Sequence, residues 1–205
     1  MIGILDLNIG NIGSLSNSIY SSGYDFQIIS NLKNTDHLSH LILPGVGNFG
    51  QAAKGLKKTG LIQEIKDFAN SGRPLMGICL GMQLLLKDSE EGAGNNGLNL
   101  IPGKVVKIKN KPGFRVPHVG WNDVAFIKDH PVFDGIKQNR DFYFVHSYHV
   151  ICDEKKDIAA LTEYSDTISS IISRENIIGF QFHPEKSQIN GIRIIENFCE
   201  WNGQC

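Results

Sequence analysis

The sequence has no surplus of either charge and no long hydrophobic run. Its 205 residues include 20 Lys and Arg against 21 Asp and Glu, a net charge of -1. Nucleic acid is not an expected partner, because binding a phosphate backbone needs a basic surplus. The longest strongly apolar stretch, residues 74–86, is shorter than the roughly 20 residues that span a bilayer. The first residues include Asp6 and no basic cluster, so we expect no secretion signal, no membrane association and a cytoplasmic location.

Cysteine is also scarce. The four cysteines are Cys79, Cys152, Cys199 and Cys205, and no two of them form a Cys-x-x-Cys pair. Their spacing favours neither a disulfide framework nor a zinc site, and we expect no metal and no cofactor. A free cysteine is usually a small buried hydrophobic residue. The question left open is whether one of the four performs chemistry.

What the sequence does have is a regular alternation of short apolar runs and helical patterns in its first half, which predicts a parallel sheet covered on both faces. The second half is richer in β-prone runs. We therefore expect an α/β fold: an open, mostly parallel, flavodoxin-like sheet flanked by helices, with added antiparallel strands in the second half. No repeat or linker divides the chain, so residues 1–205 should form one domain. Strands are predicted at 1–7, 25–30, 40–43, 74–78, 104–108, 121–126, 142–145, 148–152, 159–162, 167–173 and 177–181, and helices at 14–22, 51–57, 61–70, 80–87 and 189–201.

A glycine-rich turn follows the predicted strand at 40–43. Its sequence, Gly-Val-Gly-Asn-Phe-Gly at 45–50, matches the dinucleotide-binding pattern, and Glu64 lies near the distance expected for a ribose ligand. Against a nucleotide site, this is not the first strand–helix turn of the chain, and Pro44 stiffens its entry. A tight turn that lets a helix pack on the sheet is favoured. A third interpretation is that the glycines let backbone N–H groups face a substrate.

The segment Gly77-Ile-Cys79-Leu-Gly81 lies between a predicted buried strand and a predicted helix. A nucleophile between two glycines at such a junction is typical of a nucleophile elbow, a sharp turn that lifts the side chain off the sheet. Backbone dipoles at the helix start favour the thiolate form of a cysteine there. The next residue, Leu80, would present its backbone N–H to an oxyanion. The alternative is a core cysteine between two packing glycines.

A histidine and a carboxylate follow the last predicted strand, at His183 and Glu185. A nucleophilic cysteine needs a base, and the base needs a group that orients it. On an extended segment, residues two apart point the same way, so Glu185 should reach the His183 ring. Taken alone, His183 could be a loop histidine and Glu185 a solvated surface carboxylate. Together with the elbow they predict a Cys-His-Glu triad.

With these motifs the chain resembles the class I glutamine amidotransferases, whose glutaminases use Cys, His and Glu. The similarity runs nearly end to end. Within the family the chain is most similar to the glutaminase subunits that supply ammonia to a (β/α)-barrel synthase making imidazole glycerol phosphate in histidine biosynthesis. The matching segments are Pro-Gly-Val-Gly at 44–47, Gly-Ile-Cys-Leu-Gly-Met-Gln at 77–83, Ser-Glu-Glu-Gly at 89–92, Pro-His-Val-Gly-Trp-Asn at 117–122, Phe-Tyr-Phe-Val-His-Ser-Tyr at 142–148 and Gly-Phe-Gln-Phe-His-Pro-Glu-Lys-Ser at 179–187.

The resemblance implies a role for each matching residue. Cys79 would attack the side-chain amide of L-glutamine, His183 would move the protons, and Glu185 would orient His183. Backbone N–H groups of Val46 or Gly47 would join that of Leu80 in an oxyanion hole. The residues that would hold glutamine are Gly47, Gln83, Ser147 and Tyr148.

The resemblance also implies a heterodimer with the barrel subunit. The residues placed near that partner are Asn11, Trp121, Asn122, Tyr143 and Lys186. Trp121 could instead be a core aromatic residue, and Lys186 a solvated lysine. Two alternatives for the whole protein stay open: the same glutaminase chemistry supplying a surface-glycan sugar amidotransferase, and a non-catalytic scaffolding subunit.

Overall fold

A computed structural model describes residues 1–7 and 12–205. The helices are α1 (Ile12–Ser21), α2 (Phe49–Thr59), α3 (Leu61–Asn70), α4 (Leu80–Leu84) and α5 (Gln188–Glu200). The strands are β1 (Ile2–Leu5), β2 (Phe26–Ile29), β3 (His40–Leu43), β4 (Leu75–Ile78), β5 (Asp88–Ser89), β6 (Gly103–Lys107), β7 (His118–Phe126), β8 (Arg140–His146), β9 (Tyr148–Cys152), β10 (Ile158–Glu163), β11 (Thr167–Arg174) and β12 (Ile177–Phe180).

Nine of these strands form one sheet, in the order β2-β1-β3-β4-β12-β11-β10-β7-β8. The five strands from β2 to β12 run parallel, and the next four continue the sheet in antiparallel fashion. The strands β5, β6 and β9 form a second, small sheet. The predicted α/β fold, mostly parallel with antiparallel strands added by the second half of the chain, is confirmed.

Each parallel strand contributes to two hydrophobic cores, because successive side chains point to opposite faces of a sheet. Leu5 and Leu43 pack with α2 and α3 on one face. Ile4 and Ile42, their neighbours in sequence, pack with α1 and α5 on the other face. Burial on both faces explains why these strands are continuous apolar runs rather than alternating ones.

Several predicted bounds were wrong, because contacts distant in sequence set the true ends. Helix α2 begins at Phe49 rather than residue 51, since the Asn48 side chain caps it by accepting the Gln51 N–H at 3.0 Å. Helix α4 stops at Leu84 rather than residue 87, and its last carbonyl accepts the N–H of Leu98 at 2.8 Å. Strand β7 begins at His118 rather than residue 121, because its first residues pair with β8.

The helices of the described residues are short. In that part of the chain, none has the length and apolar character needed to cross a membrane.

Candidate active site

Cys79 occupies a strained turn between β4 and α4. Its backbone has φ 52 and ψ -106, a conformation that side-chain-bearing residues rarely adopt and that is held by the surrounding structure. The Cys79 N–H is fixed by the carbonyl of Phe180 in the neighbouring strand at 2.7 Å. The strand–turn–helix context expected of a nucleophile elbow is therefore present.

The two glycines that flank the elbow are there because side chains would not fit. A Cβ atom on Gly77 would lie 2.7 Å from the backbone of Gly81. A Cβ atom on Gly81 would overlap the carbonyl oxygen of Leu43 at the end of the adjacent strand. The elbow consequently packs directly on β3, and this packing sets where the sulfur of Cys79 lies.

His183 and Glu185 form a buried pair just after β12. The Nδ1 atom of His183 lies 2.8 Å from Oε1 of Glu185, and the two side chains are 2% and 5% exposed. The predicted contact exists, but the expected extended backbone is wrong. Residues Pro184–Lys186 form a 3-10 turn, closed by the Lys186 N–H donating to the His183 carbonyl at 3.1 Å.

The loop that carries His183 is hydrogen-bonded to strand β8. The His183 N–H donates to the carbonyl of Tyr143 at 2.9 Å. In return, the Tyr143 N–H donates at 3.0 Å to the hydroxyl of Ser187, which itself donates to the His183 carbonyl at 2.6 Å. Strand β8 thus sets the position of the His183 backbone.

The ring of His183 carries a positive charge at neutral pH. Burial lowers its pKa, but interactions with Cys79 and with Glu185 outweigh burial and raise the pKa to about 10. Nδ1 is hydrogen-bonded to Glu185, so Nε2 is the ring nitrogen that can exchange a proton with the sulfur of Cys79. Within residues 1–7 and 12–205, Nε2 makes no hydrogen bond of ordinary geometry. Catalytic hydrogen bonds of this kind often tighten only when substrate is bound.

A cavity of about 460 Å³ opens over Cys79. It is lined by the residues predicted to bind glutamine or the oxyanion, and also by residues that the sequence did not single out. The predicted ones are Val46, Gly47, Leu80, Gln83, Ser147 and Tyr148, together with Lys186, and the missed ones are Glu91, Pro117, Val145 and His146. Their only signal in the sequence was membership of the segments 89–92, 117–122 and 142–148. A larger hollow of about 760 Å³, lined by His130, Phe133 and Trp201, contains none of the predicted site residues.

The predicted oxyanion donors are not all available in this structure. The Leu80 N–H donates to the carbonyl of Gly45 at 3.2 Å, so it is bonded within the protein rather than presented to a substrate. Gly47 has φ +121, a conformation suited to glycine, and a Cβ atom there would meet no other atom within 4 Å. Val46 is exposed beside it. Val46 and Gly47 of the glycine turn border the cavity.

The residues predicted to face a partner separate into two groups. Trp121 is 47% exposed, so the core interpretation is wrong. It stacks edge-on against Tyr143, whose ring lies 5.8 Å from the Lys186 Nζ atom. Asn122 points elsewhere and donates to the Glu163 carbonyl at 3.0 Å. Asn11 lies outside the described residues.

Other residues considered from sequence have structural roles or remain unassigned. Glu64, the possible ribose ligand, accepts the N–H of Leu32 at 2.8 Å. Burial raises the pKa of both Cys152 and Cys199 to about 12, which keeps these thiols protonated and unreactive. Cys205 is exposed. In the described residues, no three His, Cys, Asp or Glu side chains lie together as metal ligands.

The elbow cysteine and the buried His183–Glu185 pair have the side chains that nucleophilic catalysis by a cysteine requires, and the comparison with known families gives the class of protein. Residues 4–201 match the family model "Glutamine amidotransferase class-I". The chain belongs to this family.

Relatives within the family are similar over their full length. "Imidazole glycerol phosphate synthase subunit HisH" of Sulfurimonas denitrificans is 46% identical, with 98% of each chain covered. The protein of the same name from Methanocaldococcus jannaschii is 47% identical, covering 98% of this chain and 99% of the relative.

Solved structures show the same fold at low sequence identity. A structure described as a glutamine amidotransferase has a TM-score of 0.75 at 19% identity, with 97% of each chain covered. A glutamine amidotransferase from Thermotoga maritima has a TM-score of 0.67 at 18% identity, covering 97% of this chain and 81% of that one.

Proposed function

We propose that the chain is the glutaminase subunit of imidazole glycerol phosphate synthase. It hydrolyses L-glutamine to glutamate and ammonia and delivers the ammonia to a (β/α)-barrel subunit in histidine biosynthesis, in the cytoplasm. The observation that carries the proposal is the elbow cysteine at the floor of a cavity, beside a buried, charged His183–Glu185 pair. The relatives that share this chain's full length have that synthase name.

The placement of the three side chains supports a mechanism in which His183 moves the protons. His183 holds the proton that the sulfur of Cys79 gives up, the sulfur attacks the side-chain carbonyl carbon of glutamine, and the carbonyl oxygen becomes an oxyanion. As that intermediate collapses, the charged ring of His183 gives its proton to the departing nitrogen, and ammonia leaves a γ-glutamyl thioester. The neutral ring then accepts a proton from water as the water attacks the thioester. The C–S bond breaks, glutamate leaves, and the sulfur and the charged ring return to their starting state. Glu185 stabilises the charged ring.

The cavity has the polarity that a small zwitterionic substrate requires. The carboxylate of Glu91 borders it and accepts the Phe49 N–H at 2.8 Å, which places a negative group where the substrate's ammonium can pair with it. Gln83, Ser147 and Tyr148 provide polar atoms around the same space. We assign these residues, with Gly47, to glutamine binding.

Oxyanion stabilisation requires a rearrangement of the glycine turn. The Leu80 N–H can donate to the oxyanion only after its bond to the Gly45 carbonyl is released. The neighbouring Gly47, with Val46, is the part of the chain whose backbone can turn to allow this. We therefore expect the isolated chain to hydrolyse glutamine slowly.

The surface beside the cavity is suited to the barrel partner. The exposed Trp121 and Lys186 and the half-buried Tyr143 form one aromatic and basic patch, and aromatic side chains of this kind carry much of the energy of protein interfaces. Tyr143 belongs to the strand that holds His183, so this patch adjoins the catalytic loop directly.

The decisive experiment compares two nitrogen sources. In a reconstituted complex with the barrel subunit, Cys79→Ala is expected to abolish glutamine-dependent turnover, because the thioester cannot form. Turnover supplied with free ammonium should be unchanged, because it bypasses this chain's chemistry. Cys205→Ser, the matched change at an exposed cysteine, should leave both activities intact.

Each competing function predicts a different result. A non-catalytic scaffold would give equal glutamine-dependent rates for Cys79→Ala and wild type. A glutaminase serving a surface-glycan sugar amidotransferase would lose glutamine-dependent turnover only with that acceptor, and would give no imidazole glycerol phosphate with the barrel subunit.

A further inference from the structure

A network of hydrogen-bonded, buried polar groups runs from strand β7 to the sulfur of Cys79. The Tyr148 carbonyl lies at its centre and accepts two bonds, from Nδ1 of His146 at 2.9 Å and from Nε2 of Gln83 at 3.0 Å. A carbonyl oxygen can only accept, so both partners must donate to it. Because both partners donate to this oxygen, the donor and acceptor atoms of the hydrogen-bonded groups on either side of it are determined.

On one side of the Tyr148 carbonyl, the network includes two histidines. His146 donates from Nδ1, so its Nε2 accepts from Nδ1 of His118 at 2.9 Å. Both rings are neutral, because burial lowers the pKa of His118 to about 4 and that of His146 to about 3. Stacking between Phe144 and Tyr164 holds the His118 ring in place.

On the other side of the Tyr148 carbonyl, the network reaches the sulfur of Cys79. The second N–H of the Gln83 amide donates to Oε1 of Gln181 at 3.2 Å. The oxygen of Gln181 therefore faces Gln83, and its Nε2 is left to face Cys79, where it donates to Sγ at 3.8 Å. Gln181 is 0% exposed, so no water competes for this donor.

We propose that Gln181 is a positioning residue of the glutaminase reaction. Its amide N–H holds the sulfur of Cys79 in line with the substrate carbon, and the Gln83 amide and Tyr148 carbonyl keep that amide from turning over. The inference rests on the proposed function, since it concerns the attack of the same sulfur. Gln181 touches the nucleophile and does not line the cavity, so its contribution should appear in the reaction step and not in glutamine binding.

The test is Gln181→Met, which keeps the length of the side chain and removes the donor. In the complex with the barrel subunit, the glutamine-dependent kcat should fall roughly tenfold, the effect of losing one hydrogen bond to the sulfur. KM for glutamine should stay within about twofold, because only the nucleophile is affected. Gln138→Met is the matched control, since Gln138 also makes two side-chain bonds, to the Phe126 backbone, away from the site.

The outcomes separate the proposal from its alternatives. An unchanged kcat, or a raised KM with unchanged kcat, would overturn it, because Gln181 would then be dispensable or act only on the pocket. Co-purification of the variant with the barrel subunit, together with an unchanged far-UV circular dichroism spectrum, shows that the variant is folded and docked. If the proposed function itself fails, wild type will show no glutamine hydrolysis at all, which is a different result.

A second measurement decides the case in which Gln181→Met does not fold. In ¹H–¹⁵N spectra of the wild-type complex, the side-chain amide signals of Gln181 should shift when Cys79 is changed to Ser, whereas those of Gln138 should not. Gln181 signals that stay in place would contradict the contact.

Discussion

At the scale of single residues, the proposed chemistry depends on the charge of the His183 ring. Its pKa is about 10 because Cys79 and Glu185 together outweigh the effect of burial. A histidine whose pKa is raised on folding stabilises the fold fully below its unfolded pKa of 6.5, and loses that contribution as the pH rises through about 10. The same interactions that prepare the ring to donate a proton thus also stabilise the folded site at neutral pH.

This electrostatic coupling can be measured directly. Cys79→Ser removes the interactions of the sulfur with the His183 ring that raise its pKa, so the pKa of His183 should fall well below about 10. An NMR titration of the histidine ring protons would follow the change, with Cys205→Ser as the matched control. An unchanged His183 titration in Cys79→Ser would show that the cysteine and the ring do not interact.

At the scale of the elements, the sequence predicted what local pattern determines and missed what tertiary contacts determine. Helix α3 and strands β3 and β9 have the predicted bounds, because their apolar patterns are local and end at proline, glycine or polar residues. The ends of α4 and β7 depend on Leu98 and on β8, which are distant in sequence. For the same reason the motifs indicated Cys79, His183 and Glu185, whereas Glu91 and Gln181 became visible only when the chain was folded.

The elbow gives a prediction about stability at this scale. Gly81→Ala should destabilise the fold by about 3 kcal/mol or more, since the new Cβ overlaps the Leu43 carbonyl and the backbone must move. Gly55→Ala, in the exposed middle of α2 with nothing near the new Cβ, should instead stabilise by about 0.5–1 kcal/mol. Urea unfolding of both variants would compare them. Equal stabilities would mean that the elbow is not packed against β3 as described.

At the scale of the whole molecule, the fold connects the proposed partner surface to the proposed catalytic loop. Strand β8 carries Tyr143, whose side chain belongs to the patch. The Tyr143 carbonyl accepts the His183 N–H, and the Tyr143 N–H donates to the Ser187 hydroxyl, which in turn donates to the His183 carbonyl. A barrel subunit docked on this patch would contact strand β8, which positions the backbone of His183. The near-neutral net charge fits this arrangement, since a zwitterionic substrate and a protein partner require no basic surplus.

The patch predicts where binding energy resides. Trp121→Ala should weaken association with the barrel subunit by about 2 kcal/mol, roughly 30-fold in Kd. Ile151→Ala changes a residue of comparable exposure on the small sheet and should leave the affinity unchanged. Calorimetric titration would provide both values, and equal affinities for the two variants would place the interface elsewhere.

The central claim is that one cysteine of the four attacks glutamine, and labelling tests it most directly. A diazoketone analogue of L-glutamine alkylates the thiol that attacks the substrate, and peptide mass spectrometry locates the label. We predict modification of Cys79 alone, in proportion to the loss of glutaminase activity, while exposed Cys205 stays unlabelled. Complete inactivation with Cys79 unmodified would contradict the account.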